Sequence, residues 1–242
     1  MNKPLTFKFN KPIKLYCITD AHIGHKQHDK EKFDAVIKRI EQDKDAYCFF
    51  NGDNIEFTPG GYHGAENEQI LSIDDQVMAF TDLLKRLKKK VLFFRIGNHE
   101  RRAAHLIGLS LDKHLGRELG IPRLSEGYEQ THFQIKGKTW TLATSHGEGG
   151  GTTKVMQNVV RAFKGKPDVY FLGHSHEFRN LNEGFGALDY ENDLVDDSLM
   201  LVGGSFLKFA EYAHRLNKRP TQTGCYVLNI SEEGISILEK IV

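Results

Sequence analysis

Three short runs rich in Val, Ile, Phe and Tyr, at 13–19, 46–51 and 91–96, each stop at a polar residue or glycine, and helical patterns fill the intervals between them. Runs of this length and composition read as buried strands. Parallel neighbours need a crossover, which a helix supplies, so the first half of the chain is confined to an α/β layered fold with a largely parallel sheet. Phe33, Val36, Ile37 and Ile40 repeat at helical spacing after Asp29. Val77, Phe80, Leu84 and Leu87 do so after Asp74, with Lys88, Lys89 and Lys90 where a helix dipole favours cations.

From Thr131 the pattern changes. Phe133-x-Ile135, Gly137 and Trp140-x-Leu142 read as a hairpin entering a second sheet. Residues 152–163 are predicted helical, 168–172 and 199–205 are predicted strands, and 224–230 with 235–238 form a closing hairpin. No repeat and no Pro, Ser or Gly-rich linker divides the chain, so a single domain over 1–242 is expected, built as two packed sheets with outer helices. Residues 182–198 depart from this pattern: they carry Glu183, Asp189, Glu191, Asp193, Asp196 and Asp197 with no Lys or Arg, and read as an acidic surface insertion.

Composition removes several function classes. The apolar stretches are strand-sized, far below the roughly 20 residues of a membrane helix, and the first residues show no apolar leader. Three scattered Cys cannot form a disulfide framework, so a soluble, cytoplasmic protein in a reducing compartment is expected. Lys and Arg (33) balance Asp and Glu (32), which leaves no global field for nucleic acid or membrane. The unusual number is 12 His, the residue used most for transition-metal ligation and for proton transfer near neutral pH.

Those His fall at strand ends. The runs close in Asp20-Ala21-His22, Gly52-Asp53-Asn54, Gly97-Asn98-His99-Glu100, Ser145-His146-Gly147 and Gly173-His174-Ser175-His176. Carboxyl ends of neighbouring strands open into one crevice, so these loops should converge. Two carboxylates, one amide and five imidazoles make eight donors, where one tetrahedral ion takes four. Two ions sharing a carboxylate use about seven and leave one His for proton transfer. Gly52, Gly97, Gly147 and Gly173 beside the donors are expected to supply backbone angles closed to other residues.

Together these five motifs resemble the signature of the calcineurin-like metallophosphoesterases, over roughly residues 13 to 206. The resemblance implies a two-sheet αββα sandwich and a binuclear metal-dependent phosphoesterase. It implies one ion held by Asp20, His22, Asp53 and His176 and another by Asp53, Asn98, His146 and His174, with Asp53 bridging. His99 matches the position that assists the leaving oxygen. The donor types suit two divalent ions such as Mn, with Fe or Zn as alternatives.

The substrate is read from departures. Protein phosphatases of that family place a carboxylate and then an Arg after the bridging Asp; here Glu56 is followed by Phe57, which weakens the protein phosphatase and phosphomonoesterase readings. Arg101 and Arg102 follow the third motif and are candidate phosphate grips. Further candidates are His63 in the Gly-rich loop after the second motif, the helix start at Gly149 to Thr153, and Arg215, Lys218 and Arg219. With Lys154 and Arg161 these suit a phosphodiester in a nucleotide or at a nucleic-acid end. A non-catalytic metal-binding scaffold is the rival class, and the acidic insertion is a candidate contact for a protein partner or a second copy. His25 and His28 are expected in a solvated loop.

Overall fold

The computed structural model describes residues 4–60, 65–125, 127–148, 155, 156, 158–160, 166–180, 198–208 and 222–242. In chain order the strands are β1 (Leu5–Phe9), β2 (Ile13–Ile18), β3 (Ala46–Asn51), β4 (Val91–Arg95), β5 (Glu129–Ile135), β6 (Lys138–Ser145), β7 (Val169–Leu172), β8 (Arg179–Asn180), β9 (Leu199–Val202), β10 (Cys225–Ser231) and β11 (Gly234–Ile241). The helices are α1 (Lys30–Gln42), α2 (Ile73–Arg86), α3 (Asn98–Ile107) and α4 (Leu111–Leu119). Positions 155, 156 and 158–160 are also helical.

Two sheets result. The first runs β11-β10-β2-β3-β4 and the second β1-β5-β6-β7-β9-β8. In the first, β2, β3 and β4 are parallel and the β10–β11 hairpin adds antiparallel to β2. The closing hairpin thus completes the first sheet. In the second, β6, β7 and β9 are parallel, while β5 and β8 pair antiparallel with β6 and β9.

Strand periodicity explains the layering, because alternate residues face opposite sides. Ile13, Leu15 and Cys17 of β2 face Phe133, Leu142, Phe171 and Leu201 of the other sheet. Tyr16 and Ile18 face the opposite way, onto Phe33, Val36, Ile37 and Ile40 of α1 and onto Phe80 and Leu84 of α2. Ala143, Tyr170, Leu172, Met200 and Val202 cover the outer side of the second sheet with Met156 and Val159. Helix, sheet, sheet, helix is therefore the order of layers, as expected. Phe49 carries the centre of the sandwich, stacked on Phe93 at 4.8 Å and edge-on to Phe171 at 5.3 Å.

Asp29 caps α1, and the four apolar residues that define its stripe are its buried residues. Helix α2 differs from the sequence expectation. Ser72 caps it, accepting from Asp75 N, and its last turn carries Lys85 and Arg86, so Lys88, Lys89 and Lys90 lie beyond it in a turn. Two strands, β1 and β8, and helix α4 are not foreseen in the sequence. Residues 182–197 of the acidic segment lie outside the described residues, while Ser198 is buried and donates to Pro167 O at 2.6 Å.

A candidate metal centre

The strand-end motifs converge. Loops after β2 and β3 bring Asp20, His22 and Asp53 and the first turn of α3, after β4, brings Asn98 and His99 from the first sheet, and loops after β6 and β7 bring His146, His174 and His176 from the second. The parallel ladder continues past the strands: Asp20 N donates to Gly52 O (3.0 Å), His22 N to Asp53 O (2.9 Å) and Ile23 N to Asn54 O (3.0 Å). The sheets are tied beneath the site by Asn51, whose Nδ2 donates to Ser145 O at 2.8 Å. Arg95, fully buried, reaches Thr144 O (3.0 Å), Thr144 Oγ1 (2.7 Å) and Gly127 O, and burial brings its pKa down to about 10.

Three groups of donor atoms form, each with its atoms within 4.8 Å of one another: Asp20, His22 and His176; His22, Asp53 and His99; and Asp53, His146 and His174. His22 and Asp53 join them into one cluster. His22 Nε2 lies 3.1 Å from His176 Nε2, and His176 Nε2 lies 3.2 Å from Asp20 Oδ1. His146 Nε2 lies 3.2 Å from both Asp53 Oδ2 and Asn98 Oδ1, and His174 Nδ1 is 2.9 Å from the same amide oxygen. Donors about 2.1 Å from a common ion sit roughly 3.0 Å apart in octahedral and 3.4 Å apart in tetrahedral geometry, so these separations are those of ligand edges. Asp20 Oδ1 is buried and makes no hydrogen bond, an orphaned oxygen of the kind a cation satisfies. The residues fit a metal centre on spacing, donor type and this orphan.

Outer contacts aim the imidazoles. His22 Nδ1 donates to Glu56 Oε2 (2.8 Å) and His146 Nδ1 to Asn51 O (2.8 Å), which aims both Nε2 atoms inward. His99 Nδ1 donates to Glu56 O at 2.5 Å, so Glu56 serves two rings, one through its carboxylate and one through its carbonyl. Burial brings the His22 pKa down to about 4, with help from neighbouring His99 and His176 and against the pull of Glu56. Burial opposes the charge on Glu56, yet the hydrogen bond from His22 together with the fields of His22, His99 and His25 outweighs it and holds the carboxyl at about 2. A neutral His22 donating to a charged Glu56 satisfies both. Burial also disfavours the cation of His146, but the charges of Asp53 and Asp20 prevail and hold it up at about 9.

The backbone is strained at the ligands. Among the described residues, seven non-glycine residues have positive φ, and five of them are Asp20, His22, Asp53, His174 and His176. Each costs about 1 kcal/mol or more, which surrounding structure must offset. Glycine acts in two ways here. Gly52 and Gly147 hold positive φ, as expected, whereas Gly97 is extended and is required for space: a Cβ there would collide with Asp53 Oδ1 and His146 Nε2. Gly173 likewise is outside the positive-φ set and abuts Thr19 Oγ1.

Sequence reasoning named Glu56 as a candidate beside the ligands but missed Glu100 and Gln76 as supports. Glu100 is buried and accepts from Asn54 N (2.6 Å), Ile55 N (3.2 Å) and Gly97 N (2.8 Å), locking two ligand loops together. The Gly-x-x-Glu spacing at the start of α3 was its available signal. Gln76, fully buried on α2, accepts from Phe57 N (2.9 Å) and donates to Gln69 Oε1 (2.9 Å) and Leu71 O (3.0 Å). A polar residue on the apolar stripe of a helix is the trace it leaves in sequence.

Several candidates take other places. Arg102 Nη1 donates to Phe57 O and Thr58 Oγ1, both at 3.0 Å, and so braces the turn that carries Glu56. Arg101 pairs bidentately with Glu148 at 3.0 and 3.1 Å. Phe57, 5% exposed, belongs to the core, at φ 35°. His25 is buried with its Nε2 3.3 Å from Glu68 Oε2, and His28 is half-buried against Ala21 O at 2.6 Å, so neither sits in a solvated loop. His63, Gly149 to Lys154, Arg161, Arg215, Lys218 and Arg219 lie outside the described residues. No helix among the described residues is long and apolar enough to cross a membrane.

No protein-family model matches the chain, and no curated protein matches it. Among solved structures, the calcineurin-like phosphoesterase YfkN from Bacillus subtilis is similar at 11% identity and TM-score 0.48, covering 96% of this chain and 90% of that one. Vps29 from Chaetomium thermophilum is similar at 13% identity and TM-score 0.45, covering 95% and 97%. Likeness at this level leaves the chemistry to the residues of the site itself.

Proposed function

We propose that the chain is a metal-dependent phosphoester hydrolase with a two-ion site, acting on phosphodiesters. The observation that carries this is the joining of three His and Asp groups into one cluster through His22 and Asp53. Asp20, His22, Asp53 and His176 would hold one ion, and Asp53, Asn98, His146 and His174 the other. Mixed imidazole, carboxylate and amide donors suit Mn, Fe or Zn rather than Ca. When bound, such ions supply Lewis acidity toward phosphoryl oxygens and acidify a water.

The chain's own groups do the rest. His99 keeps Nδ1–H on Glu56 O, so its Nε2, 4.0 Å from Asp53 Oδ2, is the atom available to hold a proton for the leaving oxygen. His99 and His176 are each 17% exposed while Asp20, His22, Asp53 and His146 are buried, which makes their side the entrance. His22, edge-on to His99 at 4.7 Å, fixes the plane of that ring.

Diester preference follows from charge. A terminal phosphate dianion gains most from a bidentate guanidinium. Among the described residues, the two arginines after the third motif are both engaged, Arg101 with Glu148 and Arg102 with the 57–58 backbone and side chain. A diester carries one charge and needs no such grip. The nucleotide and nucleic-acid-end substrates stay within this proposal as members of the diester class. The test is hydrolysis by Mn-loaded protein of bis-p-nitrophenyl phosphate against p-nitrophenyl phosphate, a dinucleotide and a phosphopeptide. Faster diester than monoester turnover is expected; phosphopeptide turnover without diester cleavage would overturn it.

A further inference from the structure

Beside the donor cluster, a cleft of about 180 Å³ opens on the side of Asn98 and His146, which form the wall it shares with the site. Val155 and Val159 make an apolar wall, and Tyr128, 49% exposed, stands at the rim with Arg101 and Glu148. We infer that this cleft receives the ester group that stays on phosphorus, and that this group is small, uncharged and aromatic; the inference rests on the hydrolase proposed above.

Three properties select that occupant. The first is charge. Arg101 and Glu148 neutralise each other through two contacts of 3.0 and 3.1 Å, so among the described residues that line the cleft this pair offers no net charge to a second phosphate or to a polymer backbone. The second is size: about 180 Å³ is well under the roughly 300–1,000 Å³ of sites for drug-sized ligands, and suits one ring system. The third is chemistry, since a lining that combines Val155 and Val159 with the Tyr128 phenol ring favours a planar aromatic group over a sugar or a charged chain.

Position decides which ester group it is. His99, the proton donor for the leaving oxygen, groups with His22 and Asp53 and keeps Nδ1 on Glu56 O, whereas the cleft is lined by Asn98 and His146 and not by His99. Water adds at phosphorus, the bond to the leaving oxygen breaks, and that oxygen takes a proton on the His99 side. The other substituent remains on the monoester product, next to the cleft.

The experiment compares phenyl p-nitrophenyl phosphate with methyl p-nitrophenyl phosphate, which share a leaving group and differ in the retained one. Tyr128→Ala should lower kcat/KM for the phenyl ester by about three- to tenfold and leave the methyl ester within about twofold. Val155→Phe, which fills the cleft, should act in the same direction. In parallel, phenylphosphonate and methylphosphonate are titrated into Mn-loaded wild type and Tyr128→Ala, where only the phenyl compound should weaken in the variant. Turnover of neither ester by the wild type would sink the hydrolase, and the phosphonate titration would still decide the cleft. Equal losses for phenyl and methyl compounds, or none for either, would overturn the subsite.

Discussion

Glu56 Oε2 lies 2.8 Å from Nδ1 of His22, and the carbonyl of the same residue lies 2.5 Å from Nδ1 of His99. One residue therefore sets the tautomer of a candidate metal ligand with its side chain and that of the candidate proton donor with its backbone. Substitution separates the two. Glu56→Ala removes the His22 contact, along with that from Thr58 Oγ1 at 2.8 Å, but keeps the carbonyl on His99; it should weaken metal affinity by about 10- to 100-fold, with Glu56→Gln between it and wild type. Competition with a chromogenic chelator measures this, and unchanged affinity in the alanine variant would show that His22 is not positioned by Glu56.

Asp53 belongs to two of the three donor groups. Asp53→Asn should lower activity by more than about 10²-fold and remove much of the bound metal. His105→Ala, on the exposed part of α3, should do neither. Full metal occupancy in the Asp53 variant, by elemental analysis, would contradict a bridging role.

His99→Ala should retain metal yet lose about 10²- to 10⁴-fold in rate with alkyl leaving groups. The loss should shrink with p-nitrophenolate, which departs without a proton. Equal losses across leaving groups would mean that His99 only positions the substrate.

Gln76→Leu should cost about 1–3 kcal/mol, because Phe57 N and Leu71 O then lose their partner in a buried setting. Urea unfolding reads this directly. Activity should fall too, since Phe57 follows Glu56 in the same turn; a fully active variant would show that the turn holds its shape through Arg102 and through Gln69, which accepts from Thr58 N (2.9 Å) and donates to Thr58 O.

Chelation should lower Tm. At a metal concentration about 100 times Kd, each site adds about 2.7 kcal/mol, or roughly 5–10 °C for a chain of this size. A Tm indifferent to chelator and to added Mn would leave the cluster without a cation.

The donor cluster was legible in the sequence because strand ends are marked twice, by the end of an apolar run and by a polar or glycine residue, and because parallel strands bring their carboxyl ends together. The helix stripes were legible for the same reason: Phe33, Val36, Ile37 and Ile40 are the buried residues of α1. Other elements lack such marks. Strand β1 is an edge strand of five residues, half-buried and exposed in alternation, and β8 has two residues. Its pairing partner, not its own composition, makes each a strand. Arg102 was read as a phosphate grip because its neighbours in sequence are ligands, but the helical turn points it at the 57–58 backbone. Such outer contacts depend on which loop a side chain meets in three dimensions, and no spacing rule records that.

The order of strands also limits how the molecule can be cut. The first sheet takes β2, β3 and β4 from the early chain and β10 and β11 from its last part, while the second takes β1 from before all of these and β5 to β9 from after β4. Any single break between β4 and β5 leaves the first fragment holding a strand of the second sheet, and the second fragment holding a hairpin of the first. Neither half owns a whole layer. The inner edge of β2, which leads to Asp20, is covered only when Ile230 has come to lie beside Ile13, so synthesis must run past residue 230 before that edge finds its partner. A split of the gene there should yield two insoluble pieces that regain structure only when made together.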